Sequence, residues 1–178
     1  ALSMKVFGVN EFAARFPNAI CGVLTLLVLF NIGMKVYDIR FGLVWTLVYA
    51  GSFLPHFYFK SGIIDPWFNL FIFCGIYYFI LFINYNTRLK SNKSISLLLK
   101  SALFIGLAIL TKGPVAALVF GICFIVYWIV RRFLPIIRIS QVLLYGLAVA
   151  LVGCMWFLML YLTGNAAIIT EFFNYQVR

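Results

Sequence analysis

The chain has 178 residues, of which 65% are apolar, 19% aromatic and only 10% charged, with a formal net charge of +10 and a mean hydropathy of +1.09. These values lie outside the range of water-soluble globular proteins and exclude a separate soluble domain. With about 20 apolar residues needed per helical crossing, the chain is expected to form an all-α integral membrane protein, a bundle of about six transmembrane helices.

The opening segment, ALSMKVFGVNEFAARFP, is polar and amphipathic and does not read as an initiating sequence. The chain is therefore expected to be a fragment of a longer protein, with residues 1–178 forming a single transmembrane core. Candidate spans follow at about 17–34, 41–58, 66–83, 96–111, 114–130 and 141–162. Long Leu, Ile, Phe and Val runs with charges confined to the joints fit helices and not the period-two alternation of a membrane barrel.

In the first segment, Glu11 and Arg15 stand four residues apart on one amphipathic helix. That spacing suits both an ordinary surface ion pair and a contribution to a site. The connection between the second and third spans, FLPHFYFKSGIIDPWFNLF (residues 53–71), carries His56, Lys60 and Asp65. Asp65 followed by Pro66 reads as a helix start, with Asp as N-cap and Pro at the first helical position. The same carboxylate at a membrane boundary, near a lysine and a histidine, is equally suited to act as a general base or to bind a hydroxyl group. The sequence leaves both readings open.

Between the fourth and fifth spans, AILTKGPVAAL (residues 108–118) interrupts the apolar run with Lys112, Gly113 and Pro114. One helix over residues 96–130 would run to about 50 Å, against a hydrocarbon core of about 30 Å. A hairpin is expected instead, with a reversal at Gly113, Lys112 at its tip and Pro114 at the first position of the next helix. A cation beside a helix N-terminus favours phosphate. The alternative is a lysine that anchors the hairpin at the interface by snorkelling.

Basic residues set the topology. Eight of them, Lys35, Arg40, Arg88, Lys90, Lys93, Arg131, Arg132 and Arg138, fall in alternate connections, against five, Lys5, Arg15, Lys60, Lys112 and Arg178, on the other side. The richer side reads as cytoplasmic, which places both termini outside. Lys100 lies one or two turns into the fourth span, within snorkelling reach of the cytoplasmic side. Glu11, Asp65, Glu171 and His56 all fall outside, so polar chemistry concentrates on the extracytoplasmic face. The net charge follows from topology and contact with anionic lipid head groups, with no need for nucleic acid.

Other chemistries are not indicated. Cys21, Cys74, Cys123 and Cys154 each lie within an apolar span, which suggests neither a disulfide framework nor a thiolate metal site. No P-loop, GxGxxG or HExxH motif occurs. No metal-ligand set is identified, and a cofactor remains unknown from sequence.

LTKGP (110–114), GVNEFAARFPNA (8–19), Lys60 five residues before Asp65, and the ending MWFLMLYLTGNAAIITEFFNYQVR (155–178) together resemble the membrane core of the polyprenyl-phosphate-sugar glycosyltransferases. These are the GT-C relatives of 4-amino-4-deoxy-L-arabinose transferase and the protein O-mannosyltransferases. The resemblance covers nearly the whole chain, and the Lys-Gly-Pro hairpin is its most specific element. It implies transfer of a sugar from a polyprenyl phosphate carrier to a lipid, glycan or protein acceptor, on the extracytoplasmic face of the bacterial inner membrane. Asp65 would be catalytic, and Lys112, Lys60 and Arg15 would bind the carrier phosphate. Glu11 and His56 would orient or bind the acceptor, and the apolar spans would hold the isoprenoid tail.

Relatives carry an earlier span and an acidic outer loop before the segment where this chain starts, and several hundred residues after it. Lys60 stands where many relatives have Arg, and Gln176 near where many have His. A transporter and a noncatalytic lipid-binding scaffold are the rival classes. Charges gathered at one interface, with a single clear helix interruption, fit a transporter poorly. A scaffold would need no outward acid–base set.

Overall fold

The computed structural model describes residues 2–88, 92–132 and 137–162, and all regular structure among them is helical. By contact the chain divides into two compact units, Ala1–Leu70 and Phe71–Arg178, and the boundary falls inside a helix.

Unit 1 contains α1 (Leu2–Phe7), α2 (Glu11–Val36), α3 (Ile39–Gly51), α4 (Phe53–Lys60) and the start of α5 (Asp65–Arg88). Asn10 joins α1 to α2: its Oδ1 accepts from the Ala13 N–H at 2.7 Å and its Nδ2 donates to the Phe7 carbonyl at 2.9 Å. Gly8, at φ +76°, makes the turn between them. Pro17 lies inside α2 and has no N–H to give the carbonyl of Ala13, four residues back. The Ser3 hydroxyl of α1 donates to that carbonyl instead, at 2.6 Å.

At the far end of α2 the chain reverses, and Asp38 caps α3 by accepting from the Phe41 N–H at 2.7 Å. Gly33 and Gly42 let the two helices approach closely, because a Cβ on Gly33 would lie 2.8 Å from the Gly42 Cα. Within a bilayer, apolar burial offers no net drive between helices, so close packing through small residues carries much of their association.

The span expected over 41–58 is two helices, broken at Ser52, whose backbone is extended (φ −74°, ψ 137°). Pro55 explains the break: in a continuous helix its ring would collide with the Gly51 carbonyl, but the first turn of a new helix accommodates it. The Ser52 hydroxyl donates to the Val48 carbonyl at 2.7 Å across the break. Beyond it α4 continues antiparallel along the first half of α2, with the Phe59 ring packed against Gly22.

Unit 2 takes the rest of α5 and adds α6 (Asn92–Lys112), α7 (Val115–Val130), α8 (Ile139–Gly153) and α9 (Met155–Leu162). Its central element is α6, whose Leu98, Ser101, Ala102, Ile105 and Ala108 recur every three or four residues and are all buried. Antiparallel to it, α5 accepts a 2.8 Å hydrogen bond at the Gly75 carbonyl from the Ser101 hydroxyl. Tyr78 of α5 stacks on Phe104 at 5.6 Å between ring centroids. Parallel to α6 runs α8, placing Val152 against Gly106, Ile109 against Gly153, and the Tyr145 hydroxyl 3.2 Å from Ser101 Oγ. Phe79, Phe82, Ile83 and Leu98 form the core, closed by Phe120 and Phe124 of α7.

By length and composition, α2, residues Asp65–Asn86 of α5 and residues Ser94–Lys112 of α6 are each long and apolar enough to cross a membrane. Shorter apolar helices, α3, α7 and α8, accompany them. The span expected over 141–162 divides at Cys154, a single near-helical residue (φ −91°, ψ 0°) between α8 and α9. The chain is an all-α membrane protein.

Gly33→Leu is expected to destabilise the protein by about 1–3 kcal/mol through forced separation of α2 and α3. Gly121 of α7 has open space around it, so Gly121→Leu should change stability by about 0.5 kcal/mol at most. Thermal unfolding in detergent compares the two, and equal midpoints would remove the close approach as a source of stability.

Candidate functional site

The end of unit 1 where α2 begins and α4 finishes is organised by Asn18. Its side chain is buried, and Nδ2 donates to two carbonyls of the α4–α5 turn, Ser61 and Ile63, both at 2.6 Å. A turn at the edge of a bilayer leaves carbonyls without helical donors, and one amide from a neighbouring helix satisfies two of them here. The turn is further tied by the Ser61 N–H to the Phe57 carbonyl at 3.2 Å and by the Ser61 hydroxyl to the Tyr58 carbonyl at 2.8 Å.

This fixed turn runs from Lys60 to Asp65. Lys60 is the last residue of α4 and is exposed, and His56, also exposed, lies one turn earlier on the same helix. Asp65 is the first residue of α5 and not its N-cap. The Phe68 N–H donates to the Ile64 carbonyl at 3.3 Å, so the helical ladder starts at Ile64 and the expected cap moves by one residue. Pro66 still falls in the first turn, where its missing N–H costs nothing. The Asp65 side chain is half-buried, with Oδ1 shielded from solvent. A carboxylate in the first turn also meets the positive end of the helix dipole.

Glu11 and Arg15 lie at the start of α2, at this end of the unit. They form an ion pair of 3.3 Å with side chains 86% and 58% exposed, respectively. At that exposure the contact is a surface pair worth well under about 1 kcal/mol. The unit thus gathers Glu11, Arg15, Lys60 and Asp65 at one end, with His56 a turn deeper. Sequence reading passed over Asn18, although a polar residue directly after Pro17, at the head of an apolar run, was the available signal.

In unit 2 the expected reversal after α6 is present. Gly113 adopts φ +70°, open to glycine at no steric cost. Its N–H donates to the Ile109 carbonyl at 2.6 Å and closes α6. Pro114 (φ −65°) is the N-cap of α7, one position before the first helical place expected for it. Lys112 is exposed at the tip. Among the described residues no three His, Cys, Asp or Glu side chains converge on a point that could hold a metal ion. Glu171, Gln176 and Arg178, with the rest of the 163–178 ending, lie outside the described residues.

The described residues thus carry a cation at a hairpin tip in one unit and a half-buried carboxylate opening a span in the other. The sequence matches the family model described as dolichyl-phosphate-mannose-protein mannosyltransferase over residues 1–162. The chain belongs to this glycosyltransferase family, of GT-C type. Neither the curated proteins nor the solved structures gave a match.

Asn18→Asp keeps the shape of the side chain but turns a donor into an oxygen facing two carbonyls. It should destabilise the protein by about 1–3 kcal/mol, at least as much as Asn18→Ala, and speed amide exchange over residues 61–65. Hydrogen exchange followed by mass spectrometry reads both effects. Unchanged exchange in that turn would show that Asn18 does not hold it.

Proposed function

We propose that the protein transfers a sugar from a polyprenyl phosphate carrier to a hydroxyl-bearing lipid, glycan or protein acceptor, on the extracytoplasmic face of a bacterial inner membrane. The family match carries this reading, and the half-buried carboxylate of Asp65 beside the turn from Lys60 supports it. The acceptor oxygen bonds to the anomeric carbon, and the bond from that carbon to the carrier phosphate breaks. The acceptor's proton passes to a base, and charge accumulates on the departing phosphate.

Asp65 serves as the base or orients the acceptor hydroxyl. Lys60 offers a cation at the same turn, although its ammonium lacks the bidentate fork an Arg would present to phosphate. Arg15 is committed to Glu11 by a contact weak enough to exchange for a phosphate. Glu11 and His56 are left as acceptor-facing groups. Lys112 is a separate carrier-phosphate contact, at the hairpin tip of unit 2. An apolar cavity of about 310 Å³ in unit 2, lined by Ile105, Phe120, Tyr145 and Val149 among others, suits part of an isoprenoid chain. The surplus of basic residues in alternate connections supports both termini of this chain facing outward.

Turnover by full-length Asp65→Asn tests the catalytic role. Since Asp65 occupies the first helical position and not the cap, a purely structural role predicts a loss of only a few tenths of a kcal/mol. Loss of the base should lower transfer by about a hundredfold to ten-thousandfold with thermal stability and donor binding intact. Near-normal turnover would refute the assignment.

Lys112→Cys tests both face and role. A membrane-impermeant thiol reagent should label it in sealed, right-side-out cells, and the variant should bind the carrier lipid more weakly while remaining folded. Labelling only after permeabilisation would reverse the proposed topology. Unchanged lipid affinity would reduce Lys112 to an interfacial anchor.

A further inference from the structure

Lys100 lies in α6, inside the stretch Ser94–Lys112 that is long and apolar enough to cross a membrane. Its Cα is about 9 Å along the helix from Ser94, and its side chain is exposed among the exposed apolar residues Leu99 and Leu103. The ammonium stands over the Tyr78 ring, 5.8 Å from the centroid. That ring is fixed by its stack on Phe104, with planes only 6° apart. Cation and aromatic wall thus form a small notch on the surface shared by α5 and α6.

Among the described residues of unit 2 the notch has no counter-charge. From Phe71 to Leu162 the sequence contains neither Asp nor Glu, so no described residue of unit 2 is an acid. A cation–π contact recovers only part of the cost of holding a charge at membrane depth. Side chains on a helix lean toward its N-terminus, which carries this ammonium toward the Ser94 end and the boundary between acyl chains and head groups. The anions found at that level of a bilayer are lipid phosphates.

We propose that Lys100 and Tyr78 form a binding notch for the phosphate of a membrane lipid, with the ammonium as ion-pair partner and the ring keeping water from its flank. The notch lies about 18 Å along α6 from Lys112, so it is distinct from the hairpin tip and does not depend on the proposed reaction. The phosphodiester of an anionic phospholipid and the phosphomonoester of a polyprenyl carrier share the required chemistry.

Native mass spectrometry of the full-length protein in detergent tests the proposal, with phosphatidylglycerol, undecaprenyl phosphate and zwitterionic phosphatidylcholine as separate probes. Lys100→Gln should lower retention of at least one anionic probe by about fivefold, Lys100→Arg should preserve it, and phosphatidylcholine should be indifferent. Tyr78→Leu, which keeps the charge, should weaken the same probe by a smaller factor. A loss confined to phosphatidylglycerol identifies a bound phospholipid, and one confined to undecaprenyl phosphate identifies the carrier. Equal retention of both anionic probes by folded Lys100→Gln would overturn the proposal. So would unchanged lipid retention accompanied by an altered assembly mass, which would instead mark Lys100 as the contact for an acidic group on another chain.

Discussion

A backbone in hydrocarbon has no water to bond to, and at several described breaks in the helical hydrogen-bond ladder a side chain meets that requirement from within. Pro17 leaves a carbonyl of α2 without its helical donor, and the Ser3 hydroxyl on a separate helix supplies one. The α4–α5 turn leaves two, and the single amide of Asn18 answers both. At Ser52 the side chain turns back to the last turn of α3. These repairs use uncharged side chains. The charged residues at the same end of unit 1, Glu11, Arg15 and Lys60, remain exposed.

The same economy governs packing between helices. Gly33 and Gly42 bring two backbones together where bulk would separate them. In unit 2, Ser101 has a carbonyl of α5 on one side and the Tyr145 hydroxyl of α8 on the other, so one small polar residue ties three helices. A hydroxyl satisfied in this way specifies one rotational setting of each helix, which apolar contacts alone do not. The rings of Phe79, Phe120 and Tyr145 then fill the space that the small residues leave.

Composition and run length made the helical class legible, and the Lys-Gly-Pro interruption made the α6–α7 hairpin legible, because glycine and proline act on the backbone locally. The helix start at Asp65 was readable to within one residue; which residue's carbonyl begins the ladder depends on how the preceding turn is tied, and Asn18 ties it from 43 positions away. The break at Ser52 was hidden in a mostly apolar stretch, although Pro55 accounts for it. The spacing of Glu11 and Arg15 was compatible with the ion pair that forms. The family resemblance read from short motifs agrees with the match over residues 1–162. Roles for the site residues were not legible in this sense, since helix capping and proton transfer use the same carboxylate.

The absence of acids between Phe71 and Leu162 extends to histidine, because His56 is the one histidine of the chain. Acid denaturation acts mainly by protonating carboxylates and imidazoles that the fold holds in a preferred state. This stretch has none of its own to protonate, so acidification from neutral pH downward leaves its own side-chain charge unchanged. Glu11, Asp38, His56 and Asp65 all lie in unit 1. The carboxylates and the imidazole among the described residues therefore belong to unit 1, while the stretch from Phe71 to Leu162 carries side-chain charge of one sign.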